Sequence, residues 1–424
     1  MSAPVRPFRF LHCADLHLDS PIKGVSAVDQ RVGDVLREAT FQAFENVIDI
    51  AVREQVDLLI IAGDVYDGAD RSLRAQLRFR DGLARAAEAG VHCFIAHGNH
   101  DPLDGWQVDL KLPERVHRFG DQVESIVVTR DDAPLVEVSG ISYPTRDVRE
   151  NLSKRFTRGD AAPFAIGVLH CNVGGHAEHD NYAGCGLEDL AAVGLDYWAL
   201  GHIHAREILR NREPAVVYPG NTQGRSIREQ GPRGCYLAEV HDGGHLDTHF
   251  IATDAVRWFQ RDIDIGSLQG IDDLLAAADS IRQQVRGEAE GRPAMLRLTL
   301  VGRGGLRGEL RHESQRTDLL EQLREHEADR EDFVWIEKLR DESRPALDIA
   351  RRREVEDFVG DFLRGAEQLR HQENAAEAIR ELLAGRKEHR AIAQEIEGVD
   401  DDELMEMLAR AEALGLDLLL DGNR

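Results

Sequence analysis

Five short apolar runs in this chain each end abruptly in imidazoles, carboxylates or amides. The sharpest is Phe94-Ile95-Ala96-His97-Gly98-Asn99-His100-Asp101. The others end in Asp15-x-His17, Gly63-Asp64, His170 and Gly201-His202-x-His204. An apolar run of about four to eight residues reads as a buried strand. In a parallel α/β sheet the carboxyl ends of the strands share one edge, and ligands bind there. A lone histidine after a strand is usually a hydrogen-bonded loop residue. Five such clusters in one chain point to convergence instead, because buried charges and imidazoles are costly without compensation.

The order of elements supports a parallel sheet. Residues 8–12, 57–62 and 92–96 read as strands, separated by helical periodicity over 31–54 and 73–89. This β-α-β-α-β order implies parallel strands with helices packed on them. After Pro102, short runs at 123–129 and 135–142 flank a turn signal, Asp131-Asp132-Ala133-Pro134. Further strands fall at 164–169, 196–200 and 215–218, and a hairpin closes over 235–240 and 246–252. Beyond a boundary near residues 253–256, strand (258–263), helix (271–285), strand (294–300), helix (306–326) and strand (333–336) make a small α/β unit of ordinary domain size. The expected domains are residues 1–254, residues 255–339 and a helical region, 340–424. That last region carries two apolar stripes, Val355 to Leu369 and Leu404 to Leu414. They can pack on each other or leave a face for a partner.

Charge limits the function. Net charge is 52 − 77 = −25 over 424 residues. Bulk attraction to nucleic acid is excluded, since phosphate binding relies on positive charge. A polyanionic substrate would need metals, a local basic patch or a partner subunit. The five cysteines lack C-x-x-C spacing and read as reduced thiols. The chain shows no signal-peptide pattern and no apolar run of roughly 18 residues, so a soluble cytoplasmic protein is expected, with no membrane association.

Imidazole and carboxylate donors without thiolate suit Mn²⁺, Fe²⁺ or Zn²⁺ rather than a structural zinc site. The donors are too many for one ion. Two ions about 3.5–4 Å apart, bridged by a carboxylate, would use them and would suit phosphoester hydrolysis by an activated hydroxide.

Taken together and in order, the five motifs resemble those of the calcineurin-like metallophosphoesterases, and the whole chain resembles their DNA repair exonuclease branch, the SbcD-like and YhaO-like proteins. The resemblance implies an α/β fold: a metallophosphoesterase four-layer sandwich over residues 1–254, a small α/β capping domain over 255–339 and a helical tail that docks an SMC-like coiled-coil ATPase. It implies two divalent ions, Mn²⁺ above all. Asp15, His17 and His204 would hold one, Asn99, His170 and His202 the other, and Asp64 would bridge them. His100 would act on the substrate and Asp101 would orient His100. The implied activity is DNA cleavage, exo- or endonucleolytic. A phosphatase or phosphodiesterase for small esters and a non-catalytic scaffold are the rival readings, and a homodimer is left open. Asp19, Asp67 and His97 read as supporting residues, and His12 as structural. Gly63, Gly98 and Gly201 read as positions where a side chain would crowd the site or φ is positive. Asn221, Arg225 and Arg228, and Arg71, Arg74 and Arg78, are candidates for phosphate contact.

Overall fold

A computed structural model describes residues 4–22, 29–68, 72–106, 108–175, 182–310, 312–372, 374–384 and 399–421. Two six-stranded sheets form its centre. The first contains β1 (Phe8–Cys13), β2 (Leu58–Ala62), β3 (His92–Ala96) and β4 (Val116–Arg118), all parallel. The second contains β5 (Glu124–Arg130), β6 (Ala133–Gly140), β7 (Ala165–His170), β8 (Tyr197–Gly201), β9 (Glu207–Asn211) and β10 (Ala215–Tyr218). Here β6, β7, β8 and β10 run parallel, while β5 and β9 close the edges antiparallel. The expected hairpin, β11 (Gly234–Val240) and β12 (Leu246–Ala252), returns to the first sheet and pairs antiparallel with β1.

Strand pleating sends alternate side chains to opposite faces, and both faces of these strands are apolar. Phe8, Phe10, Leu58, Ile60, Phe94, Ile166, Val168 and Tyr197 fill the space between the sheets. The intervening residues, such as Leu11, Leu59 and Ile95, face helices α1 (Gln30–Arg53) and α2 (Leu73–Glu88). On the far side Leu169, Trp198 and Val216 pack beside the short helix α3 (Leu187–Ala192). The result is a four-layer α/β sandwich. Asp29 caps α1 by accepting from the Arg31 and Val32 amides, and Ser72 caps α2. Where the two helices meet, a Cβ on Gly82 would lie 2.5 Å from the Phe44 ring, so only glycine permits that approach.

His12 is the one imidazole buried wholly within the inter-sheet layer on β1. Its Nε2 lies 3.1 Å from the Leu200 carbonyl and its Nδ1 3.0 Å from the Tyr197 hydroxyl. A carbonyl only accepts, so Nε2 carries the hydrogen and Nδ1 accepts from Tyr197. Burial pushes the ring down to about 3, against a smaller upward pull from the Leu200 carbonyl.

The compact unit holding these sheets also holds most of the small α/β unit. Its three-stranded sheet has β14 (Ala294–Val301) between β13 (Arg257–Asp264) and β16 (Val334–Asp341), with β14 and β16 parallel. Helices α4 (Ile271–Glu288) and α5 (Glu313–Arg324) accompany it. Trp258, Met295, Phe333 and Trp335 share a buried cluster with Val32, Leu36 and Ala39 of α1. The sequence reading expects one helix over 306–326. The structure has a 3-10 turn at Gly305–Gly308 and only then α5, because Gly308 lowers helix propensity in the expected first turn. Two edge strands, β4 and β9, carry no such signal in the sequence. Val-His-Arg and Glu-Ile-Leu-Arg-Asn are short, half-buried and lack a clear period.

The second unit comprises residues 264–269, 302–311 and 343–424. It contains the pair β15 (Arg303–Gly304) and β17 (Arg344–Pro345), and helices α6 (Ile349–Arg353), α7 (Phe358–Arg370), α8 (Ala375–Ala384) and α9 (Asp401–Asp421). The two apolar stripes meet in part. Val359 and Leu363 of α7 bury against Leu416 of α9, while Phe358 and Leu414 stay exposed. Part of the acidic stretch 391–424 lies outside the described residues. No described helix is long and apolar enough to cross a membrane.

The neutral His12 has a stability consequence. Its folded pKa, about 3, lies below the ordinary 6.5, so its contribution is complete above pH 6.5 and is lost as pH falls toward 3. His12→Gln keeps both hydrogen bonds but cannot titrate. Between pH 7 and pH 4.5 the wild type is expected to lose about 2–3 kcal/mol more than the variant. Urea midpoints at the two pH values read this, and equal pH dependence of the two proteins would refute it.

Candidate metal centre

The five polar clusters sit at the carboxyl ends of β1, β2, β3, β7 and β8, where the same edge of both sheets opens. Asp15 and His17 follow β1, Asp64 follows β2, and Asn99 and His100 follow β3. His170 is the last residue of β7, while His202 and His204 follow β8. Asp15, His17, His204, Asp64 and His170 fall into groups whose ligand atoms lie within 4.8 Å of one another: Asp15 with His17 and His204, and Asp15 with Asp64 and His170.

The backbone is bent to achieve this. Asp15, His17, Asp64 and His202 have φ of 52°, 44°, 51° and 102°. Each such non-glycine conformation costs on the order of 1–3 kcal/mol and persists only where surroundings enforce it. Here the loop after β1 is bonded to the loop after β2. The amides of Asp15, His17 and Leu18 donate to the carbonyls of Gly63, Asp64 and Val65 at 3.0, 3.0 and 2.9 Å. The His202 amide donates to both Asp15 carboxylate oxygens at 3.2 Å.

Carboxylates and carbonyls behind the rings set their tautomers. His17 Nδ1 is 3.2 Å from Asp67 Oδ1, and His204 Nδ1 is 2.7 Å from Glu229 Oε1. With each Nδ1 turned outward to its carboxylate, both Nε2 atoms turn inward, and they face each other across 3.2 Å. Burial, aided by the Arg225 charge, pushes His17 down to about 4, so its ring is neutral. His170 Nδ1 faces the Ala62 carbonyl at 3.0 Å, leaving Nε2 toward Asn99 Oδ1 at 3.0 Å and Asp64 Oδ2 at 3.4 Å. His202 Nδ1 reaches the same Asn99 oxygen at 3.2 Å. Burial alone would lower His170, but the Asp64 carboxylate outweighs it and raises the ring to about 9. Imidazole nitrogens, the Asn99 amide oxygen and the Asp64 carboxylate thus converge on one space, linked by whichever protons the rings supply. A cation between them would satisfy all of these lone pairs, so the residues present fit divalent metal.

The glycines keep this space open. A Cβ on Gly98 would lie 2.3 Å from Asp64 Oδ1 and 2.7 Å from His170 Nε2. One on Gly63 would lie 2.3 Å from His170 Nδ1, and one on Gly201 would lie 1.8 Å from the Ala62 carbonyl. Only Gly63, with φ +94°, also needs glycine's left-handed backbone.

His100 lies at the rim, its side chain 39% exposed, its ring 5.0 Å from that of His17 and its amide donating to Asp64 Oδ1 at 2.9 Å. Its partner differs from the sequence expectation. Asp101 does not touch it. Asp101 accepts from His97 Nδ1 at 2.8 Å, from the Gly98 amide at 2.8 Å and from the Val65 amide at 2.9 Å, so it ties the turn after β3 to the loop after β2. Asp67 takes the expected role, 2.6 Å from His100 Nδ1. The same carboxylate also bonds His17, Ser20 and Arg225. Sequence reasoning misses Glu229 behind His204 altogether, because a glutamate in the loop after β10 has no spacing that marks it.

The expected phosphate contacts fare unevenly. Arg74 and Arg78 both pair with Glu38 and lie over the Phe41 ring, 4.6 and 4.3 Å from its centroid. Arg225 is 3.3 Å from Asp67, Arg228 is exposed, and Asn221 is buried with its amide on the Gln223 carbonyl. Arg71 lies outside the described residues.

Comparison with known proteins gives this edge a family. A model described as calcineurin-like phosphoesterase matches residues 8–206, and one described as the middle domain of metallophosphoesterase YhaO matches residues 258–344. An uncharacterized metallophosphoesterase, YhaO of Bacillus subtilis, is 38% identical over 79% of this chain and 81% of its own length. The DNA double-strand break repair protein Mre11 of Aeropyrum pernix is 27% identical over 54% of this chain and 57% of its own. The SbcD component of the Bacillus subtilis nuclease SbcCD is 25% identical over 53% and 63%. The chain thus spans only about three-fifths of those two nuclease relatives, but most of YhaO. With its motif-bearing strand ends gathered at one edge, the chain belongs to the calcineurin-like metallophosphoesterases, in their YhaO-like branch.

Proposed function

We propose that this protein is a metal-dependent DNA nuclease that hydrolyses phosphodiesters in DNA repair, in the cytoplasm, together with an SMC-like ATPase. The observation that carries the reading is the division at the sheet edge: buried acceptors inside, and one exposed imidazole, His100, at the rim. A long polymer can lay a phosphate on such a rim without entering a deep pocket. Likeness to Mre11 and to the SbcCD component supports DNA as the polymer, and the latter's being one part of a multi-subunit nuclease supports a partner.

Asp15, His17 and His204 would hold one divalent ion, Asn99, His170 and His202 the second, and Asp64 would lie between them. Mn²⁺ is the proposed metal. Such ions, when bound, neutralise phosphoryl oxygens and activate water. The chain's own residues do the rest. Asp67 fixes the His100 ring through Nδ1 and leaves Nε2 for substrate. Burial works against a charged His100, but the Asp67 bond and the Asp64 and Asp67 charges raise its pKa above the ordinary value. A protonated Nε2 can donate to the scissile phosphate or to the leaving oxygen. Asp101 holds the turn that carries Asn99 and His100. DNA affinity in so acidic a chain is assigned to the metals, the residue 255–339 surface and the ATPase.

Mn²⁺-dependent cleavage of linear single- and double-stranded DNA, measured beside a generic phosphodiester and with and without the ATPase, tests the reading. DNA cleavage is expected. Rapid turnover of the small ester with none of DNA would overturn the nuclease reading in favour of a small-ester phosphodiesterase. Two variants separate the roles within the site. His100→Ala should retain its full metal content, read by elemental analysis, while cleavage drops about 10²–10⁴-fold. Gly98→Ala places a methyl against Asp64 and His170 and should lose metal and cleavage together. Full activity in the first, or full metal content in the second, would refute the corresponding assignment.

A further inference from the structure

Of the four tryptophans, Trp198, Trp258 and Trp335 are buried, while Trp106 is 40% exposed. Trp106 sits in a loop pinned on both sides. The Leu103 and Asp104 amides donate to the Tyr143 and Pro144 carbonyls at 2.9 and 3.2 Å, and the Val108 amide donates to Gln76 Oε1 on α2 at 2.8 Å. Gly105 turns back on the Pro102 carbonyl at 2.8 Å. The indole is therefore flanked by anchored backbone at residues 103–105 and at Val108. It lines a small cavity together with Tyr66, Asp67, Gly68 and Pro102. Two of these residues hold His100: Asp67 through the ring, and Gly68 by donating its amide to the His100 carbonyl at 2.8 Å.

Three arginines near this edge are committed elsewhere. Arg74 and Arg78 pair with Glu38, and Arg225 pairs with Asp67. Those three cations are therefore less free to hold a strand here, and the chain's −25 adds to the difficulty. Stacking on an aromatic face needs no cation and tolerates any base sequence. We propose that Trp106 is the stacking platform for a nucleobase flanking the scissile phosphate, which places that phosphate at His100. The proposal rests on the nuclease reading above and names the part of the substrate that the rim grips.

The test uses the full chain loaded with Mn²⁺ and a linear single-stranded oligonucleotide. Trp106→Ala should raise KM about 5- to 150-fold, the span of one lost base stack, with a smaller change in kcat. Trp106→Phe, which keeps an aromatic face, should recover most of the loss. The penalty should shrink on a strand carrying abasic residues around the cleavage point. It should stay constant between about 50 and 200 mM salt, unlike a lost phosphate contact. In a His100→Ala background, oligonucleotide binding should quench the red edge of the tryptophan emission, and Trp106→Phe should abolish that quenching. A wild-type KM in Trp106→Ala, or a penalty undiminished on abasic DNA, overturns the stacking platform while leaving the nuclease reading intact. A wild type that cleaves the generic diester but no DNA overturns both.

Discussion

Two imidazole nitrogens, Nε2 of His17 and Nε2 of His204, face each other across 3.2 Å in the interior of the site. Much of the surrounding sheet edge serves to hold that close pair in place. Asp67 and Glu229 draw the protons to the outer side of His17 and His204. Left-handed backbone at Asp15, His17, Asp64 and His202 turns the side chains inward, and the bonds between the β1 and β2 loops stop it relaxing. Strain of this kind is tolerated where the surrounding fold over-determines it. Here that fold is a double sheet packed on both faces of both sheets.

The same economy governs His170. It closes the inter-sheet layer on β7 and reaches across to the Ala62 carbonyl of β2, so one side chain joins the two sheets and faces the centre. Gly63, Gly98 and Gly201 surround it with bare backbone. Changing any of them would move the contact between sheets as well as the chemistry. Site and sandwich are therefore one construction.

The strand ends were legible because a buried parallel strand is apolar on both faces, and the break to His, Asp or Asn is abrupt. The clusters were legible because five breaks of one kind imply a shared edge. The partner of His100 was not. Asp101 is adjacent in sequence, but the turn points it back to the Gly98 amide, and Asp67 arrives from another strand end. Such a choice depends on loop geometry, which residue type does not encode. Glu229 was invisible for the same reason. Arg74 and Arg78 were legible as one helical face, yet their pairing with Glu38 depends on where α1 lies. The helix expected over 306–326 is present from Glu313 to Arg324, and its late start has a local signal, Gly308 in the expected first turn.

Helix α1 has a double duty. Phe41, Phe44, Val47 and Ile48 cover the first sheet, while Val32, Leu36 and Ala39, one to two turns earlier, are covered by Trp258, Met295, Phe333 and Trp335. A polypeptide ended at residue 254 would keep the entire metal edge but uncover that apolar patch at the amino end of α1. Its first turns would then face water, and an exposed patch of this kind invites association. The seam visible in the sequence is thus a poor place to divide the protein. The small α/β unit serves the neighbouring fold as a lid over its own hydrophobic core, whatever else it touches.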